Sequence, residues 1–374
     1  MKQRIVILWA SGGVWRELIS QIIKYDTWKN HKNPSEIIWV VNSKKYIYNP
    51  QGIDTQILLN MIGSYKDATK IFESYGSWYL HLSEILTLIQ ESWLDDEIVF
   101  VDVTAGKWEL LEFHKQVLQE SQNFLVTANK NPISLWSMDD FNSLMKHARR
   151  YDTNTTVMWW AGILNFIHER TNGIVDKIMR IEGVFSGTLG YILSELDQDK
   201  KTFSQIVATA KKLWYTEPNP WDDLNGLDVA RKLVILARYA WHKVHIDDVH
   251  VSPLIDKKYA QYQWDEFLEK ISQEDVYFKN KIQECKKLWK VLRYVACIQI
   301  NDGTPSLHVW LESVDKNSDL WTLSWTYNIA IVETEILQSP LSHVIKSRWA
   351  WIAVTAWAVR VGISHMIPRN LPSF

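Results

Sequence analysis

"RIVILWASGGVWRELISQI" (Arg4–Ile22) runs from a β-branched stretch through a glycine pair into a segment whose Leu18, Ile19, Ile22 and Ile23 recur at helical spacing. It reads as strand, turn and helix. Outward from it, "EIIWVVNS" (Glu36–Ser43), "DEIVFVDVTA" (Asp96–Ala105) and "NFLVTANK" (Asn123–Lys130) read as further strands, with "ELLEFHKQVLQES" a helix between the last two. Strands alternating with helices predict a doubly wound, Rossmann-type α/β fold with a parallel sheet. In such a fold the first turn lets backbone N–H groups approach a dinucleotide pyrophosphate, and glycines make the approach possible. Here the turn is Trp9-Ala10-Ser11-Gly12-Gly13-Val14-Trp15. With glycine at 9 and 15 it would be a good phosphate loop; an indole at either position would fill the space the pyrophosphate needs.

The pattern changes near residue 150. "KIMRIEGVFSG" (Lys177–Gly187) reads as a strand, Thr188–Leu196, Phe203–Leu213 and Leu227–Tyr239 as helices, and "VLRYVACIQI" and "SLHVWLESV" as strands of an antiparallel sheet. The expected organisation is a nucleotide-binding domain over 1–150, an α+β substrate and dimerisation domain over 151–340, and a segment over 341–374 that returns to the first domain. At 374 residues with a formal charge of -2, nothing global points to nucleic acid or to an anionic membrane surface. No apolar run reaches the roughly 18 residues of a membrane span. Cys285 and Cys297 form neither a CxxC pair nor a cluster with histidine, which fits a reducing cytoplasm.

Three stretches carry chemistry. "VVNSKK" ends the second strand with Ser43, Lys44 and Lys45 where an acidic residue would bind a ribose 2′-hydroxyl, which favours a 2′-phosphate and hence NADP, with NAD as the alternative. "VTANKNP" (Val126–Pro132) puts Lys130 at the carboxyl end of a strand, the edge where open α/β sheets place ligands. "YTEPNPWDDLNGLDVARK" (Tyr215–Lys232) is the densest polar stretch, with Asp228 and Lys232 four apart on a helix. Spacing alone makes these two an ordinary surface ion pair. Glu217 and the rigid Pro218-Asn219-Pro220 segment before them aim several carboxylates towards one cleft, where carboxylates bind an ammonium and a lysine transfers a proton.

Together these stretches resemble the homoserine dehydrogenase family over nearly the whole chain. The specific part is Tyr215–Arg238, similar to that family's Y-T-E-P-D-P-R-D-D-L-x-G-x-D-V-A-R-K signature; "GVFSGTLGYIL", "VTANK" and "RWAWIAVTAWAVR" (Arg348–Arg360) match three more family segments. The resemblance implies reversible NADP-dependent oxidation of homoserine to aspartate 4-semialdehyde, in threonine and methionine biosynthesis. It implies Lys232 as the acid–base group, Lys130 as the other lysine, and Glu217, Asp228, Tyr215 and Thr216 at the substrate. The cofactor residues it implies are Trp9, Ser11, Gly12, Gly13, Val14, Trp15, Asn42, Ser43, Lys44, Thr104, Lys130, Trp351 and Thr355. A monovalent cation such as Na+ would lie on the carbonyls of Trp159, Ala161 and Ile163, although the preceding "YDTNTTVM" is longer than its family counterpart. A homodimer in the cytoplasm is implied, as are a monofunctional chain and no strong threonine inhibition, since neither a kinase-like nor a regulatory domain is read.

Where the family has glycine this chain repeatedly has tryptophan, at 9, 15, 159, 160, 214, 349, 351 and 357. Glycine numbers 14 and tryptophan 21, so glycine stands at about half its usual roughly 7%. If about a dozen tryptophans were glycines, glycine would return to about that norm. The expectation is a gene whose UGA codons mean glycine, read with a table in which UGA means tryptophan. Two other classes fit these residues less well. A tryptophan-rich binding module would gather its indoles on one exposed face, and an aspartate-semialdehyde dehydrogenase would need an activated thiol, which neither cysteine context offers. A catalytically impaired homologue is the alternative should the tryptophans be real.

Overall fold

The computed structural model describes residues 3–8, 12–26, 34–79, 81–91, 98–217, 219–348 and 352–366. The chain forms two compact units, Met1–Thr156 with Ala350–Phe374, and Val157–Trp349.

In the first unit, β1 (Gln3–Leu8) pairs in parallel with β2 (Ser35–Val41) on one side and with β5 (Ile98–Asp102) on the other. β6 (Phe124–Thr127) and β7 (Tyr151–Asp152) continue the parallel side, while β3 (Lys45–Tyr48) and β4 (Ser77–Trp78) add antiparallel strands at the opposite edge. The order is β4-β3-β2-β1-β5-β6-β7. The central strands are continuous Ile/Val/Leu/Phe runs because both faces are covered. Covering helices include α1 (Gly13–Tyr25), α2 (Thr55–Ile62), α3 (Tyr65–Tyr75), α4 (Ser83–Glu91), α5 (Trp108–Gln119), α6 (Asn131–Ser134) and α7 (Met138–Met145). Leu8 pairs with Asp102 and Asp102 with Thr127, so the chain leaves β1, β5 and β6 at one level of the same edge. The direction of chain progression reverses between β1 and β5, which makes that edge a topological switch point.

The C-terminal helix Ile352–Met366 completes this unit: Ala356, Val359 and Ile363 join the cluster of Ile5, Ile7, Leu18, Ile19 and Val126. Polar ties fix it. Gln3 Nε2 donates to the Ile363 carbonyl (2.6 Å), Gln21 Nε2 to the Ala353 carbonyl (2.9 Å), and the Arg360 guanidinium grips Asp26 (2.7 Å).

The second unit has α8 (Ile163–His168), β8 (Ile178–Val184), α9 (Gly187–Asp197), α10 (Phe203–Lys212), α11 (Pro220–Leu224), α12 (Leu227–Tyr239), β9 (Val249–Val251), α13 (Trp264–Ile271), α14 (Asp275–Lys287) and β10 (Lys290–Asn301) to β13. The last three strands are β11 (Thr304–Asp315), β12 (Tyr327–Thr334) and β13 (His343–Arg348). The sheet order is β13-β12-β8-β10-β11-β9. All of its pairs are antiparallel except β9 with β11, a parallel edge that the sequence reading did not anticipate.

Candidate functional site

Each unit carries one set of the expected residues. In the second unit, α12 starts at Gly226, whose backbone is left-handed (φ 77°) and packs so tightly that an added Cβ would collide with the Tyr294 hydroxyl. From that fixed start Asp228 falls in the first turn and Lys232 one turn later, while Val229, Ala230, Leu233, Val234 and Ala237 are buried. Lys232 Nζ lies 2.6 Å from Asp228 Oδ2 and donates to the Phe185 carbonyl at 2.7 Å. With the lysine side chain only 14% exposed, the pair is held more tightly than a surface ion pair of the same spacing.

The segment before α11 is pinned from α9. Thr188 donates its hydroxyl to the Tyr215 carbonyl (2.6 Å), and the Tyr191 and Tyr215 rings meet edge to face at 5.0 Å. Two residues on, the Glu217 N–H donates to Asp223 Oδ2 (2.7 Å). Asp223 is the residue the sequence reading missed. Burial pushes its carboxyl up to about 7, the charges of Glu217 and Asp228 adding to the rise and the hydrogen bonds from Glu217 N–H and Thr188 opposing it. Glu217 and Asp228, the latter paired with Lys232, thus lie close enough to Asp223 for their charges to raise its carboxyl, which makes the cluster receptive to a further cation.

In the first unit, Gly12 caps α1 without a side-chain hydrogen bond, so the N–H groups of the first turn remain available to an anion. Gly13 lies against Ile352 closely enough that a Cβ would displace that side chain. Trp15 departs from expectation. Its indole is turned into the core beside Leu18 and Ile19, 1% exposed, because this helical position faces the sheet and not the phosphate crevice. Trp9, Ser11, Trp349 and Trp351 lie outside the described residues.

After β2 the chain turns back into β3. Asn42 Oδ1 builds the turn by accepting from Lys44 N–H (2.8 Å) and Lys45 N–H (2.7 Å), and the Tyr79 hydroxyl donates to the Asn42 carbonyl (2.6 Å). Ser43 and Lys44 are exposed at the tip, whereas Lys45 Nζ reaches back over the Trp78 ring (4.7 Å).

At the ends of β5 and β6 a buried network fixes the loop that carries Lys130. Asp102 accepts from Thr104 N–H (2.9 Å), from Asn129 Nδ2 (3.0 Å) and from His114 Nε2 (3.0 Å), and His114 Nδ1 meets the Tyr151 hydroxyl at 2.9 Å. A carboxylate can only accept, so Nε2 is the donor. Burial drives the Asp102 carboxyl up, yet the hydrogen bonds and charge of His114, with those of Thr104, together hold it below the usual carboxylate range. Asn129 Nδ2 also reaches Thr104 Oγ1 (3.1 Å) and the Gly106 carbonyl (2.9 Å), tying the two loops together. Lys130 follows at once and caps α6. Thr355 is half-buried on the C-terminal helix.

Trp159 to Ala161 form a single tight turn between two left-handed residues, Met158 (φ 40°) and Gly162 (φ 60°), ahead of Ile163 in α8; the Trp159 carbonyl accepts from Gly162 N–H (3.0 Å). Among the described residues no group of three or more His, Cys, Asp or Glu side chains is placed to hold a metal ion. No helix among them is long and apolar enough to cross a membrane.

Comparison with known proteins gives one consistent result. The homoserine dehydrogenase family model matches residues 163–363. Homoserine dehydrogenase of Saccharomyces cerevisiae is 32% identical over 279 residues, covering 70% of this chain and 73% of that protein. A bifunctional aspartokinase/homoserine dehydrogenase of Buchnera aphidicola is 29% identical over 353 residues, 93% of this chain but 41% of its own length. This chain thus spans less than half of that bifunctional relative. Among solved structures, a Candida auris protein of unknown function superposes with a TM-score of 0.80 at 25% identity, covering 98% of both chains. A hyperthermophilic archaeal homoserine dehydrogenase in complex with NADPH superposes with a TM-score of 0.69 at 20% identity, covering 97% of both chains.

Proposed function

This chain belongs to the homoserine dehydrogenase family, and from that premise we propose that it interconverts L-homoserine and L-aspartate 4-semialdehyde with NADP. The observation that carries the reading is the polar cluster of the second unit, where Lys232 is clamped between the Asp228 carboxylate and the Phe185 carbonyl beside Glu217 and Asp223. Glu217 and Asp228 hold the substrate ammonium, with Tyr215 and Thr216 shaping the wall around it. Lys232, in its amine form, takes the carbinol proton during oxidation and returns it to the carbonyl oxygen during reduction. NADP, when bound, supplies the hydride acceptor. The residues that would hold it are the first turn of α1 at Gly12, Gly13 and Val14, the turn at Asn42, Ser43 and Lys44, and Thr104, Lys130 and Thr355. The uncapped start of α1 and the exposed Lys44 suit a pyrophosphate and a 2′-phosphate. The first unit is thus the cofactor domain and the second the substrate domain.

The reading keeps a monovalent cation on the carbonyls of Trp159, Ala161 and Ile163, supported by the curvature that two left-handed residues give this turn. It also keeps the cytoplasm, supported by two buried free cysteines, and a homodimer. The test is turnover followed by NADPH absorbance. Lys232→Ala should lower kcat by roughly 10²- to 10⁴-fold while NADP affinity stays within about twofold, the spread of an untouched site. Unchanged turnover removes the acid–base assignment.

A further inference from the structure

Eight non-glycine residues among those described have a left-handed backbone, and four of them are tryptophans: Trp214 (φ 60°), Trp241 (φ 64°), Trp289 (φ 56°) and Trp325 (φ 54°). For a bulky side chain this conformation is a genuine outlier.

Three of the four occupy the same place in three different helices. Trp214 follows the C-cap Leu213 of α10, Trp241 the C-cap Ala240 of α12, and Trp289 the C-cap Leu288 of α14. At Trp214 and Trp241 the hydrogen bonds are the pair of a Schellman stop, and at Trp289 one of the pair is present. Trp214 N–H donates to Lys211 O (3.0 Å) and Tyr215 N–H to Ala210 O (3.0 Å); Trp241 N–H donates to Arg238 O (2.9 Å) and His242 N–H to Ala237 O (2.9 Å); Trp289 N–H donates to Lys286 O (3.2 Å). That position is one that proteins fill with glycine, because only a residue without Cβ enters the left-handed region freely. Trp325 is the first central residue of the turn closed by Tyr327 N–H on Ser324 O (3.2 Å), where a positive φ again selects glycine.

The side chains do not repay the strain with packing. The four residues are 87%, 53%, 73% and 61% exposed in order. Trp241 Nε1 donates to Asn172 Oδ1 (3.1 Å) and Lys316 Nζ lies 5.9 Å from the Trp289 ring, both surface contacts. Inside the first unit the mismatch takes another form: the indole nitrogens of Trp15 and Trp39 are buried with no hydrogen-bond partner in the protein, although a buried Trp N–H normally finds one.

We propose that the natural polypeptide carries glycine at 214, 241, 289 and 325, its gene encoding these positions by a UGA codon that the organism translates as glycine. A left-handed backbone carrying an exposed tryptophan selects the four sites, without recourse to any activity. Applied to position 9, the same codon would restore a glycine to the phosphate loop, a consequence that rests on the dehydrogenase reading; the four helix-stop and turn assignments do not.

Two measurements test it without any activity assay, so that failure of the dehydrogenase reading would leave them untouched. Sequencing the gene should find UGA at all four codons, and UGG there overturns the proposal. In protein isolated from the source organism, the tryptic peptides Tyr239–Lys243 and Leu213–Arg231 should each be lighter by at least the difference between one indolylmethyl group and a hydrogen. Tryptophan at 214 or 241 in those peptides overturns the proposal whichever codon is present.

Discussion

Asp222 and Asp223 stand side by side in the first turn of α11; Asp222 points to solvent, whereas Asp223 turns inward to accept from Glu217 N–H. With its carboxyl pushed from 3.8 up to about 7, the folded chain holds more protons than the unfolded one between those values. Stability from this group therefore falls as pH rises across that window. Asp223→Asn should flatten this slope, as thermal unfolding from pH 4 to pH 8 would read. An arriving ammonium lowers the carboxyl again, so homoserine binding near neutral pH should release a proton from Asp223. Calorimetry in buffers of different ionisation enthalpy should then give different apparent heats in the wild type and equal heats in Asp223→Asn; equal heats in both would contradict the assignment. That Glu217, Asp228 and Lys232 lie near one another was legible because one contiguous stretch holds all three, the last two at helical spacing. Which of two adjacent aspartates turns inward was not, since it depends on how α11 lies against α9 and α12. His114 was hidden for a different reason. It sits in the apolar face of α5 among Leu110, Leu111, Phe113 and Val117, and its partner Asp102 belongs to another element. His114→Leu leaves that buried carboxylate without its main cation-capable neighbour and should cost about 3 kcal/mol at neutral pH. Because Asp102 titrates below the usual range, the loss should shrink as acid protonates it, which urea unfolding at two pH values would show.

At the scale of elements, periodicity placed α10 and α12 to within a residue of where they lie, although the residue after each C-cap, where glycine would announce the stop, is written as tryptophan. Each of Trp214→Gly, Trp241→Gly and Trp289→Gly should raise stability by about 1 kcal/mol by removing left-handed strain. Alanine at the same positions keeps the Cβ and should give little of that gain. Unfolding midpoints of the glycine and alanine series decide the matter, and equal midpoints would locate the effect in the indoles instead. The β2–β3 hairpin was also missed. "VVNSKK" reads correctly as the end of a strand, but it does not announce that Asn42 folds the chain back on itself and that the following "KYIY" alternates as a short antiparallel strand. A hairpin there leaves Ser43 and Lys44 at the tip and withdraws Lys45 to Trp78 and the Glu73 carbonyl (3.4 Å).

For the whole molecule, the second sheet bears on assembly. Strand register puts Val184, Val295, Trp310, Ile331 and Val344 on one face together with Arg180, Glu182 and Glu333; Val184, Val295 and Ile331 are buried in a cluster with Leu320 and Leu323, and Val344 on the edge strand is 43% exposed. Arg180 pairs with Glu182 at 2.7 Å and lies 3.7 Å from Glu333. The homodimer of the proposed reading predicts about twice the chain mass of 43.9 kDa in sedimentation, and Val344→Glu, at an exposed position of the edge strand, should shift it towards the single chain if that edge takes part. A wild type that sediments as one chain at micromolar concentration would remove the dimer from the reading. The C-terminal helix has a consequence of another kind. Its residues 356, 359 and 363 finish a core begun by residues 5 and 7, and its Arg360 grips Asp26. On the ribosome, the first strand is made long before the helix that covers it, with the whole of the other unit emerging in between. At roughly 5–20 residues per second, that core stays incomplete for on the order of ten seconds or more, and the interval is when chaperones would meet this chain.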